Sequence, residues 1–72
     1  MNVKLLKSVM VLNGDTIASL AEALGISRRA LSYKLNDPNA EFRQNEIIAI
    51  KRRYNLSASE IDYIFFSLEV SK

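Results

Sequence analysis

The chain has 72 residues, 49% of them hydrophobic and 25% charged, which is enough apolar material for one small core and too little for two. It contains no cysteine and no histidine, which excludes disulfide bonds, thiolate metal sites, thiol nucleophiles and imidazole bases together. No apolar run, such as that at residues 9–12, is longer than four residues, which is too short to span a membrane. With only two glycines and one proline, the chain has few tight turns, which argues against an all-β meander. Together these observations predict a small, soluble, intracellular, mostly helical domain.

Charge is distributed unevenly along the chain, although the net charge is only +2. Residues 1–36 carry five basic and two acidic side chains, whereas residues 37–72 carry five basic and six acidic ones. The first half is therefore the better candidate for facing a polyanion. The basic run at residues 51–53 lies within a predicted helix, where consecutive side chains point in different directions, so it favours a solvated face over a binding stripe.

Hydrophobic periodicity predicts five consecutive helices joined by short turns, with no repeat or linker. We expect these helices at residues 3–12, 17–24, 28–35, 44–54 and 58–67, followed by a flexible end at about 68–72. In the first helix, Leu5, Val9 and Leu12 should line the inward face, and Leu6 and Met10 should widen it.

Capping chemistry predicts where the later helices begin. Asp15 or Thr16 should cap the second helix, since short polar side chains accept hydrogen bonds from free amides at a helix start. Ser57 and Glu60 have the spacing of a reciprocal capping box for the fifth helix. Between these helices, Phe42 is expected to anchor a loop to the core.

Residues 16–36 have the spacing of a helix-turn-helix. Ala21 is small where two helices would cross, Gly25 allows the positive φ of a tight turn, and Ile26 can fill the corner between the helices. Ser27 can cap the next helix and leave its first amides free to approach a phosphate. Leu31 would anchor that helix to the core, so its other face would point outward.

Residues 20–32, LAEALGISRRALS, resemble the Cro and lambda-repressor-like family of helix-turn-helix regulators. The resemblance implies an all-α, five-helix, lambda-repressor-like DNA-binding domain that spans residues 1–72, with the helix-turn-helix at about 16–36. Residues 42–66 are similar to small phage-encoded members of the modulator-of-repression type, which oppose a phage repressor by binding it. The chain departs from the family pattern at Ile17, where glutamine is common, and at Lys34, where an apolar residue is usual.

The resemblance implies a transcriptional regulator of a phage lysis/lysogeny switch, working in the host bacterial cytoplasm. The preferred mechanism is that of an antirepressor, which binds the phage repressor and alters its operator binding. The alternative is a Cro-like repressor that binds operator DNA directly through a recognition helix at residues 28–36. Both mechanisms would use the same outward face: Thr16, Ser27, Arg28, Arg29, Ser32, Tyr33 and Asn36.

The fifth predicted helix is apolar on two sides. Ile61, Ile64 and Phe65 should face the core, whereas an α-helix would place Tyr63, Phe66 and Val70 on the opposite side. Two explanations stay open. Phe66 could pack back into the core, or the three residues could form a surface for self-association or for a partner.

No residue pattern indicates catalysis. The carboxylates fall mostly at predicted caps, turns and exposed positions, and no glycine-rich phosphate loop occurs. We therefore expect a protein that is not an enzyme, with no metal, no cofactor, no small-molecule substrate and no membrane partner.

Overall fold

The structure is a computed structural model that describes residues 1–37 and 39–66. Within these residues the chain forms five α-helices and a final π-helical turn, and it forms no strand. The helices are α1 (Val3–Leu12), α2 (Ile17–Leu24), α3 (Arg28–Asn36), α4 (Gln44–Tyr54) and α5 (Ala58–Ile61), and the π turn is Asp62–Phe66. The all-helical prediction is confirmed, and α1 to α4 agree with their predicted bounds to within one residue. The predicted flexible end at 68–72 lies outside the described residues.

One hydrophobic cluster receives side chains from all five α-helices. α2 packs against α3 and α4, and α1 packs against the π turn. Complete burial of a leucine or isoleucine stabilises a fold by about 1.5–3 kcal/mol, so these contacts dominate the stability of the domain. The cluster consists of Leu6, Met10, Leu20, Ala21, Leu31, Leu35, Phe42, Ile50, Tyr54, Leu56, Ile61 and Ile64. No helix in the described part of the chain is both long enough and apolar enough to cross a membrane.

The buried face of α1 is rotated from the predicted one. Leu6 and Met10 are buried at the centre of this face, whereas Leu5 and Val9 are only partly buried. Leu12 is 85% exposed, so its predicted place in the core is wrong. Leu6 and Met10 lie one helical turn apart and form the side of α1 that faces the core. Leu12 lies at the end of the helix, beyond the core.

The turn between α2 and α3 follows the predicted capping pattern. The Thr16 hydroxyl oxygen accepts a hydrogen bond from the Ser19 amide at 3.1 Å, which caps α2. Gly25 ends α2 in the left-handed conformation, with φ at 74°. The Ser27 hydroxyl oxygen then accepts a hydrogen bond from the Ala30 amide at 3.0 Å and starts α3. Three residues therefore suffice to redirect the chain from one helix to the next.

The end of the described chain differs from the predicted fifth helix. The capping box of Ser57 and Glu60 is present, but α5 ends at Ile61 and the chain continues as the π turn. A π turn rotates less per residue than an α-helix, so Tyr63 and Phe66 lie further apart around the axis than in the predicted α-helical stripe. The Asn2 amide donates a 2.6 Å hydrogen bond to the Ile64 carbonyl and joins α1 to this turn.

Lys34 is directed toward the protein rather than toward solvent. Its Nζ atom donates a hydrogen bond to the Glu41 carbonyl at 3.0 Å and lies 3.4 Å from Oε1 of the buried Glu46. It also lies 5.6 Å from the centroid of the Phe42 ring, within the range of a cation–π interaction. Lys34 thus ties α3 to the start of α4 and contributes its charge to an internal contact.

Candidate binding site

An open groove lies between the start of α2 and the outer face of α3. It has a volume of about 1280 Å³. Its lining residues come from both helices and from the segment that follows α3: Thr16, Ile17, Ala18, Arg28, Arg29, Ser32, Tyr33, Asn36, Asp37 and Asn39.

The α3 wall of this groove consists of two rows of side chains at four-residue spacing. One row is Arg28, Ser32 and Asn36, and the other is Arg29, Tyr33 and Asp37. Residues four apart lie one above the other on a helix, so each row runs parallel to the helix axis. Leu31 and Leu35 are buried in the core and fix the rotation of α3 that exposes both rows.

The structure brings together six of the seven residues predicted for this face. The exception is Ser27, which caps α3 and is not among the lining residues. The six that line the groove are Thr16, Arg28, Arg29, Ser32, Tyr33 and Asn36.

Four lining residues were not predicted: Ile17, Ala18, Asp37 and Asn39. Ile17 is exposed in the groove wall. An apolar side chain at this position, where the family that residues 20–32 resemble commonly has glutamine, was the available signal. Asp37 and Asn39 follow the predicted end of the third helix, and nothing in helical periodicity indicates that they return to the groove.

Several polar groups of the groove are already bound to one another. The Asn36 side-chain amide donates hydrogen bonds to the Ser32 carbonyl at 2.8 Å and to the Ser32 hydroxyl at 3.2 Å. The neighbouring Asp37 carboxylate favours the protonated form of the Tyr33 hydroxyl, so it raises the pKa of Tyr33 above its ordinary value of 10.0. Tyr33 remains 60% exposed, so its ring is available to a ligand.

Arg28 and Arg29 supply the positive charge of the groove, at the start of α3. Among the described residues, Asp37 is the only acidic group that lines it. Two other cations of the chain are engaged elsewhere, because Lys34 pairs with Glu46 and Arg53 pairs with Asp15. The groove is therefore positive at one end and negative at the other.

Asp15 anchors the start of α2 to the end of α4. Its carboxylate accepts hydrogen bonds from Arg53 at 2.7 and 2.9 Å and further ones from Ser19 and Tyr54. The Arg53 guanidinium is the main reason that the pKa of Asp15 lies well below its ordinary range, with Ser19 and Tyr54 acting in the same direction against burial. This cluster holds Thr16, the first residue of the groove, against the rest of the fold.

The second predicted surface is only partly assembled. Tyr63 is 62% exposed and Phe66 is 52% exposed, so the explanation that Phe66 packs back into the core is wrong. Phe66, but not Tyr63, lines a cavity of about 330 Å³ together with Met1, Asn39, Ala40, Glu41, Phe42, Ile47 and Phe65. Val70 lies outside the described residues. A role for these residues in self-association stays a prediction.

Residues 1–37 and 39–66 contain no group of three or more carboxylates placed to hold a metal ion. Comparison with protein-family models, with curated proteins and with solved structures finds no match to this chain.

Proposed function

We propose that this chain is a lambda-repressor-like helix-turn-helix regulator of a phage lysis/lysogeny switch in the bacterial cytoplasm. In this proposal α2 and α3 are the helix-turn-helix, and the groove binds the phage repressor and alters its operator binding. The short turn at Gly25, the Ser27 cap and the inward Leu31 support the helix-turn-helix assignment, since each has the role that such a motif requires.

The residue types that line the groove favour a protein as its partner. Arg28, Arg29 and Tyr33 are residue types that dominate the energetics of protein interfaces. Affinity for DNA rests mainly on many lysine and arginine contacts to phosphates. Among the described residues this groove presents two arginines, no lysine and one carboxylate. Such a surface is suited to a protein of mixed charge.

Direct operator binding is the second candidate. It is favoured by the position of Arg28 and Arg29 in the first turn of α3, where a recognition helix would contact base edges or phosphates. A single module buries only about 600–1,000 Å² on DNA, so this function would require a dimer on two half-sites.

The test is fluorescence anisotropy with duplex DNA from the region upstream of the chain's own gene, with and without the purified repressor encoded beside it. We expect no binding by the chain alone at physiological salt, and altered binding by the repressor when the chain is added. Size exclusion should show a complex at micromolar concentration. Arg28→Ala and Arg29→Ala should each weaken this complex by about 10- to 100-fold, as is typical of interface hot spots.

Arg52→Ala is the matched control, because Arg52 is exposed at the end of α4 and does not line the groove. This variant removes the same charge and should leave the complex unchanged. Absence of a complex at micromolar concentration would contradict the proposal. Tight operator binding by the chain alone, lost in Arg28→Ala, would establish the second candidate instead.

A further inference from the structure

Asp37 places a negative charge at one end of the groove. It follows the last residue of α3, and its amide donates a 2.9 Å hydrogen bond to the Tyr33 carbonyl. It continues the row of Arg29 and Tyr33 along the exposed face. At a rise of 1.5 Å per residue, Asp37 lies about 12 Å along the axis from Arg29.

The Asp37 carboxylate is held in one position. Its Oδ1 atom accepts a hydrogen bond from the Asn39 amide at 2.8 Å. The contact with Asn39 forms a local turn that an asparagine side chain would make equally well. The turn therefore explains an acceptor oxygen at this position but does not explain the negative charge.

The charge is also unfavourable for the helix itself. The C-terminal end of a helix carries a partial negative charge from its free carbonyls, so a carboxylate there is destabilising. A phosphate entering the groove would meet the same unfavourable field, whereas a lysine or arginine would be attracted. The local turn does not require the charge of Asp37. That charge attracts a basic ligand and repels a phosphate.

We propose that Asp37 is a specificity-determining residue of the groove, which selects a protein partner that presents a lysine or arginine at one end of its docking segment and a carboxylate at the other, and which disfavours nucleic acid. The carboxylate of the partner meets Arg28 and Arg29, and its basic group meets Asp37. This inference rests on the proposed function, since it names the charge pattern of the partner that the groove binds.

The test is Asp37→Asn, which keeps the acceptor oxygen for the Asn39 amide and removes the charge. We expect the affinity for the purified repressor to fall by about five- to tenfold, which corresponds to the loss of one partly exposed charge pair. The affinity for generic duplex DNA at low salt should rise by about two- to threefold, and salt should abolish this gain. A melting temperature of the variant that is equal to or above that of the wild type establishes that the turn is intact, since removal of the unfavourable charge at the end of α3 is expected to raise stability slightly.

Glu22→Gln is the matched control, because Glu22 is exposed on α2, does not line the groove and carries the same charge. It should alter neither affinity. An unchanged affinity of Asp37→Asn for a repressor that binds the wild-type chain would overturn this inference alone. Absence of any complex with the wild-type chain would overturn the proposed function as well. Weaker DNA binding by Asp37→Asn would show that Asp37 contacts a base and would also overturn the inference.

Discussion

At the scale of single residues, Asp15 shows how one carboxylate connects distant parts of the chain. Its position in the sequence predicts only a cap for α2, but Thr16 takes that role and Asp15 binds Arg53 and Tyr54 instead. These partners lie on α4, and no periodicity or spacing links them to Asp15. The contact is a product of tertiary packing, so the sequence alone could not indicate it.

Replacing Asp15 with asparagine should lower the free energy of unfolding at pH 7 by about 1–3 kcal/mol, because hydrogen bonds to a charged group are lost. Folding holds the pKa of Asp15 below its ordinary value of 3.8, so its stabilising contribution is complete above that pH and declines as the pH falls below it. Urea denaturation at several pH values should therefore show the difference between wild type and Asp15→Asn shrinking in acid. Asp62→Asn, at an exposed position, is the control and should show no such difference. A difference that stays constant down to pH 2 would contradict this assignment.

At the scale of helices, local signals predicted α1 to α4 well. Apolar spacing and the caps at Thr16 and Ser27 are properties of neighbouring residues, and they were sufficient to locate helix bounds. The π turn was not predictable in this way, because it occupies a segment that α-helical periodicity describes almost as well. The hydrogen bond from Asn2 and the packing of Phe65 on Phe42 accompany it, and both involve residues far away in the chain.

The packing of α2 gives a prediction at the same scale. Ala21 is 1% exposed, so Ala21→Leu must insert extra methylene groups into a filled core. We expect a loss of about 1–3 kcal/mol in the free energy of unfolding, which lowers the melting temperature by several degrees. Ala23→Leu, on the exposed face of the same helix, should have little effect. Equal melting temperatures for the two variants, measured by circular dichroism, would show that the core has room for a larger side chain in place of Ala21.

At the scale of the whole molecule, the groove was predictable on its α3 side and at Thr16. The inward positions of Leu31 and Leu35 imply which α3 side chains face outward, and five predicted α3 residues line the groove as a result. Asp37 was missed because its place depends on the path of the chain after α3. The net charge of residues 1–36 overstates the charge that is available to the groove, because Lys34 contributes its charge to a contact with Glu46.

The charge arrangement predicts weak salt dependence of DNA binding. If Arg28 and Arg29 supply the phosphate contacts of a single chain, the logarithm of its affinity should fall with the logarithm of salt concentration at a slope of about −2. Anisotropy titrations of generic duplex DNA across a salt series measure this slope. A slope of about −6 or steeper would show that many more cations take part and would favour a dedicated DNA-binding protein.

The hydrogen bond between Asn2 and Ile64 also bears on the order of folding. It joins two segments that are almost a chain length apart, whereas every residue of the groove lies between positions 16 and 39. Contacts between neighbouring helices form faster than contacts that close a long loop, since the loop loses more entropy. The pairing of α2 with α3 should therefore precede the docking of α1 on the π turn. The α2 and α3 walls of the groove would then be paired before the two ends of the chain are joined.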